Sequence, residues 1–123
     1  MVPTAPRRAV VDVQDILTSI CTKSGLLVLY ELSRGGKRHG ELRRAIGGVS
    51  QKMLTQTLRA LERDRLVRRT MHPVVPPRVD YALTPLGKML MQPLSALYRW
   101  TERHLEQIQR ARRESQKTRR IVE

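Results

Sequence analysis

At 123 residues and 14.2 kDa the chain has room for one domain and one modest core, which excludes a multidomain enzyme with separate cofactor and substrate halves. Its 24 Lys and Arg stand against 11 Asp and Glu, a net charge of +13, while a hydrophobic content of 40% suffices for a packed interior; the class that remains is a folded protein that binds a polyanion. Only four aromatic residues (Tyr30, Tyr81, Tyr98 and Trp100) and no Phe argue against stacking single-stranded bases, so duplex DNA is the better polyanion.

Residues 1–11 read as an N-terminal arm. Val13, Ile16, Leu17, Ile20 and Cys21 recur at three and four residues behind Asp12 as N-cap, predicting an amphipathic helix over about 12–22. Ser24 to Ser33 (SGLLVLYELS) is almost continuously apolar, and its Leu content tilts it from strand to buried helix, ended by Gly35 and Gly36. A short helix follows at Gly40 to Ile46 (GELRRAI), with Leu42 and Ile46 inward and Glu41, Arg43 and Arg44 toward water. Gly47 and Gly48 make a sharp turn. Ser50 then caps a helix from Gln51 to Asp64 in which Leu54, Leu58 and Leu61 form the buried stripe. The opposite face carries Gln51, Lys52, Thr55, Gln56, Arg59 and Arg63.

From Leu66 the period changes to two. Leu66 to Met71 and Arg78 to Leu83 are predicted strands joined by HPVVPP, whose three prolines suit a projecting hairpin tip. Thr84 and Pro85 start a last helix as N-cap and first helical residue. There Leu86, Leu90, Leu94, Leu97, Thr101, Leu105 and Ile108 recur at helical spacing, more apolar face than one small domain needs, and Pro93 is expected to bend it. Residues 110–123, with six basic and two acidic side chains, read as a helix end running into a solvated tail.

The order is a winged helix-turn-helix laid out linearly: a mainly α fold with a small β-hairpin, its domain spanning 12–109 together with the first and last helices. Charge gathers in the middle, where residues 34–80 hold 12 basic and 4 acidic side chains. A recognition helix at about 50–64 needs apolar residues behind it and short polar or Arg side chains in front to reach base edges. Ser50, Gln51, Lys52, Thr55, Gln56 and Arg59 supply them. The wing at about 66–83 offers Arg78 to the backbone or minor groove, although Asp80 or Glu62 competes for it as an ion-pair partner. Arg68 and Arg69 lie on its stem, where alternation lets only one face the duplex, and Lys37 and Arg38 add backbone contacts. Ile16, Ile20, Leu90, Leu94, Leu97, Trp100, Leu105 and Ile108 mark the apolar faces of the first and last helices.

The run SQKMLTQTLRALERDRLVRRTMHPVVPPRVDY from Ser50 to Tyr81, with ELRRAIGGVS before it and ALTPLGKML after it, closely resembles the HxlR-type transcriptional regulators, a branch of the MarR-like winged-helix proteins. The resemblance covers about residues 16–105. It implies cytoplasmic, nucleoid-associated homodimers on inverted-repeat operators, with terminal helices forming the homodimer interface, here through Ile16, Ile20, Leu90, Leu94, Leu97, Trp100, Leu105 and Ile108. Three positions depart from the pattern: Ser24 stands where the family usually has Trp, no cysteine stands near Val11 where a redox-sensing one is common, and Val74 replaces an acidic residue in the wing tip.

The remaining features are read plainly. Cys21, the sole cysteine, excludes an internal disulfide and is read as a small buried hydrophobe, with a reactive or intersubunit thiol as the rival. His39, His72 and His104 lack metal-ligand spacing, so no metal or cofactor is expected. No nucleophile, base and carboxylate set appears, which argues against an enzyme. Met1 to Val11 lacks the apolar stretch of a signal peptide, and the longest apolar run, Leu26 to Tyr30, is too short to span a bilayer, so no membrane partner is expected. The leading expectation is a sequence-specific regulator of transcription, a repressor because blocking a promoter needs only occupancy. The rivals are a non-specific architectural DNA-binding protein and a sensor answering a thiol oxidant or a small-molecule effector.

Overall fold

A computed structural model describes residues 7–122, with side chains over 12–119. Five helices and three strands follow in the order α1 (Arg7–Ile20), α2 (Lys23–Ser33), β1 (Lys37–Arg38), α3 (His39–Ile46), α4 (Gln51–Arg63), β2 (Val67–His72), β3 (Arg78–Leu83) and α5 (Pro85–Val122). The strands form one antiparallel sheet ordered β1-β3-β2. The chain divides after Met91 into two units, the second being the α5 segment from Gln92.

In the first unit, the core sits where α2, α3 and α4 meet the sheet. Val28, Leu29, Leu42, Leu54, Leu58 and Leu61 are almost wholly enclosed, joined by Leu32, Leu66, Val67, Tyr81 and Leu83. Removing such side chains from water is the main driving term, each contributing about 1.5–3 kcal/mol. Two hydroxyls share that interior: Ser24 of α2 and Thr57 of α4 are both buried and hydrogen-bonded to each other. A buried hydroxyl needs such a partner. Gly25 beside Ser24 allows α2 to pass close to the end of α1, since a Cβ there would strike the Ser19 and Ile20 carbonyl oxygens.

Several sequence expectations change. Helix α1 begins at Arg7, so Asp12 lies inside it and caps nothing, and residues 7–11 of the expected arm are helical while 1–6 lie outside the described residues. The helix stops at Ile20, and Thr22 caps α2 by accepting the Gly25 N–H at 2.9 Å. Cys21 therefore falls in the bend between two helices that meet at 67°, and it is exposed rather than buried. Lys37 and Arg38, expected as a lead-in to α3, form a third strand against Tyr81 and Asp80. The expected C-terminal tail is helical through Val122, in the same helix that contains Pro93. Among the described residues no single helix is long and apolar enough to cross a membrane.

Candidate nucleic-acid interface

The turn between α3 and α4 fixes the face that α4 presents. Gly47 and Gly48 adopt φ of 63° and 62°, the left-handed region that glycine enters without steric cost. Ser50 then caps α4, its hydroxyl accepting the Met53 N–H at 3.0 Å. Substituting Ser50 with alanine is expected to cost about 1 kcal/mol, read as a lowered urea midpoint, because that N–H loses its partner. With Leu54, Leu58 and Leu61 enclosed, Gln51, Lys52, Gln56 and Arg59 are left exposed, as the spacing predicts, while Thr55, expected on the same outward face, is half-buried.

Neighbouring elements touch that face. Arg43 of α3 donates from Nη1 to Gln51 Oε1 at 3.3 Å, and His39 Nε2 lies 3.4 Å from Thr55 Oγ1. A hollow of about 350 Å³ is lined by Thr55, Arg59 and Glu62 of α4 with Arg69 and Tyr81 of the sheet. The two arginines thus share one concavity, with a single carboxylate between them and neutrality.

Strand register sorts the remaining cations, because directly paired residues share a face. Lys37 and Arg69 both pair with Tyr81, on the face turned to the helices. Arg38 pairs with Asp80, Arg68 with Ala82 and His72 with Arg78, all on the other face. Alternation therefore separates Arg69, beside α4, from Arg68, which shares a face with Arg38 and Arg78. On that outer face Arg78 Nη2 lies 3.0 Å from Asp80 Oδ2, and His72 Nε2 lies 2.8 Å from the same oxygen. Arg78 is therefore engaged by the carboxylate that the sequence offered as its rival partner. The hydrogen bond from Arg78, aided by that from His72, holds the Asp80 carboxyl below its ordinary value against the opposing effect of burial. A depressed carboxyl keeps its contribution above the ordinary carboxylate range and loses it as pH falls through the lowered value, so the pair is intact at neutral pH.

Apolar side chains remain uncovered within the chain. On α1, Val13, Ile16 and Leu17 are exposed, as are Leu26 and Tyr30 on α2, whereas Ile20, expected at a subunit interface, is 4% exposed and belongs to the chain's own core. On α5, Leu97 and Trp100 are each 52% exposed and Leu105 is exposed, while Leu90, Leu94 and Ile108 are half-buried. Trp100 stacks on His104 with ring centroids 4.9 Å apart. Among the described residues no group of three or more His, Cys, Asp or Glu could hold a metal ion.

Arg43 and Thr57 were missed in the sequence. Arg43 reads as a solvated basic residue, and only the glycine turn, which folds α3 back onto α4, hints that it reaches Gln51. Thr57 lies on the enclosed side of α4 with Leu54, Leu58 and Leu61, but the partner of its hydroxyl, Ser24, is far away in the chain and leaves no local signal.

Comparison with known proteins gives one consistent answer. The family model of the HxlR-like helix-turn-helix matches residues 19–109. The uncharacterized HTH-type transcriptional regulator YtfH of Escherichia coli is 44% identical over 95 residues, covering 77% of this chain and 75% of that protein. The solved structure of the ytfH regulator from Salmonella typhimurium superposes with a TM-score of 0.73 at 43% identity, over 80% of this chain and 88% of that one. That of diamide-treated YodB from Bacillus subtilis gives 0.66 at 29% identity, over 73% and 89%. With α3, the glycine turn, α4 and the β2–β3 wing all inside the matched span, this chain belongs to the HxlR-like helix-turn-helix family and is a DNA-binding regulator of transcription.

Proposed function

We propose that the protein is a homodimeric repressor that reads an inverted-repeat operator, with α4 of each protomer in successive major grooves about 34 Å apart and each wing on flanking backbone or minor groove. The observation that carries this reading is the division of α4. Its leucines are spent on the core, while Gln51, Lys52, Gln56 and Arg59 are exposed on the other side, behind a glycine turn. Gln and Arg are the side chains that pair bidentately with adenine and guanine, and Lys52 suits a phosphate. The uncovered apolar residues of α1, α2 and α5 supply the subunit contact.

Genomic footprinting followed by competition tests the reading. A specific regulator prefers its operator to random duplex by at least about 10³, whereas equal binding to both would make this an architectural DNA-coating protein. Substituting Arg78 with alanine is expected to weaken all duplexes alike and to flatten the plot of log affinity against log salt by about 0.9 for each phosphate that is no longer neutralised. A change in sequence preference instead would put Arg78 at a base edge.

Control by thiol oxidation is a second reading, favoured by the exposure of Cys21. One of the similar solved structures is described as the redox regulator HypR in its oxidized form. Operator titration of wild type and Cys21→Ser, with and without diamide, decides it. Oxidant-induced release in wild type alone supports a sensory thiol, and four identical curves leave Cys21 no such role.

A further inference from the structure

We infer that Arg43, which lies on α3 and outside the recognition helix, sets the orientation of the Gln51 side chain and so takes part in choosing the base that Gln51 reads. The inference rests on the recognition-helix reading above. Arg43 bridges the turn twice: its carbonyl accepts the Gly47 N–H at 3.1 Å, closing α3, and its guanidinium crosses Gly47 and Gly48 to donate to Gln51 Oε1 at 3.3 Å. Arginine carries donors and no acceptor, so it holds a glutamine amide only by the oxygen end. The Nε2 end of Gln51 is thereby turned away from α3.

A solvated glutamine has no such constraint. Its last torsion is broad and close to two-fold, so the donor and acceptor ends exchange with little cost and discrimination at a base edge is blurred. Fixing one end before binding removes that freedom and concentrates the side chain on one hydrogen-bond pattern. Arg43 is available for this work, because among the described residues no carboxylate pairs with it, whereas Arg78 is held by Asp80. Arg43 is thus a positioning residue, acting on base choice through Gln51.

The test is selection from a randomised duplex library by wild type, Gln51→Ala, Arg43→Met and Arg43→Lys, with thermal melting to confirm that each is folded. Gln51→Ala is expected to flatten one column of the selected site. Arg43→Met is expected to lower discrimination about fivefold at that same column and to leave the others intact. Arg43→Lys, which keeps a donor, is expected to retain part of the preference. An even loss of affinity across all sequences in Arg43→Met would reduce Arg43 to a phosphate contact and overturn the inference. So would a Gln51→Ala site identical to that of wild type, even with α4 still reading DNA through other columns. Failure of wild type to select any sequence would instead bring down the recognition-helix reading, and this inference with it.

Discussion

Replacing Leu97 with glutamate is expected to leave a folded monomer that holds operator DNA about 10²–10⁴-fold more weakly than the parent. Leu97 lies on the α5 stripe between Leu94 and Thr101, and more than half of it faces solvent in the isolated chain. Its loss therefore removes little that the protomer uses for its own packing. In a subunit interface the same position would bury a carboxylate against apolar side chains, which is tolerated only when the charge is paired. Two half-sites bound by one linked pair gain from effective concentration, and separated protomers forfeit that gain. Sedimentation equilibrium and operator titration in one buffer check both halves of the expectation. A dimer of unchanged affinity would move the subunit contact off α5.

Substituting Gly87 with alanine is expected to destabilise the fold by about 2–3 kcal/mol, at the upper end of what overpacking costs. A Cβ on Gly87 would be driven into the Leu66 carbonyl oxygen, with the Leu83 Cδ2 3.3 Å away on another side. That oxygen has little freedom to retreat, since it already accepts the Thr84 N–H at 3.1 Å and belongs to a buried residue at the foot of β2. Thr84 is tied in as well, accepting the Gly87 N–H at 3.1 Å and donating to the Arg65 carbonyl at 2.6 Å. One methyl group would thus press on the joint that holds both wing strands to the first turn of α5. Urea unfolding measures the loss, and a midpoint equal to wild type would mean the joint yields without strain.

The elements with short-range signatures were legible in the sequence. Ser50 before an i, i+4, i+7 leucine stripe, a proline-rich link between alternating strands, and Thr84-Pro85 each state their structure within a few residues, and each stands where it was expected. What escaped depends on distant partners or on continuity. A two-residue strand has no period, and β1 exists because Tyr81 and Asp80 lie alongside it. Helix α1 starts at Arg7, ahead of Asp12, the capping residue that the sequence offered. Arg110 to Arg119 looks like a solvated tail by composition, yet Arg, Glu, Gln and Lys are good helix formers, and extending an existing helix avoids the cost of nucleation. At the candidate interface, the outward set on α4 followed from periodicity alone. The bond from Arg43 to Gln51 did not, because it needs two elements folded about a turn, and whether Arg78 pairs with Asp80 or Glu62 needed the strand register.

The hydroxyl pair of Ser24 and Thr57 also bears on which side chains α4 turns outward. Leucines alone tolerate slippage, because one greasy contact replaces another when a cylinder rolls by a fraction of a turn. Two enclosed oxygens do not, since only one azimuth of α4 lets them meet and any other strands both in hydrocarbon. The hidden side of the cylinder therefore acts as a key that sets the compass bearing of Gln51 and Arg59, and a change at Thr57 would alter what is presented outside without altering a single outward residue.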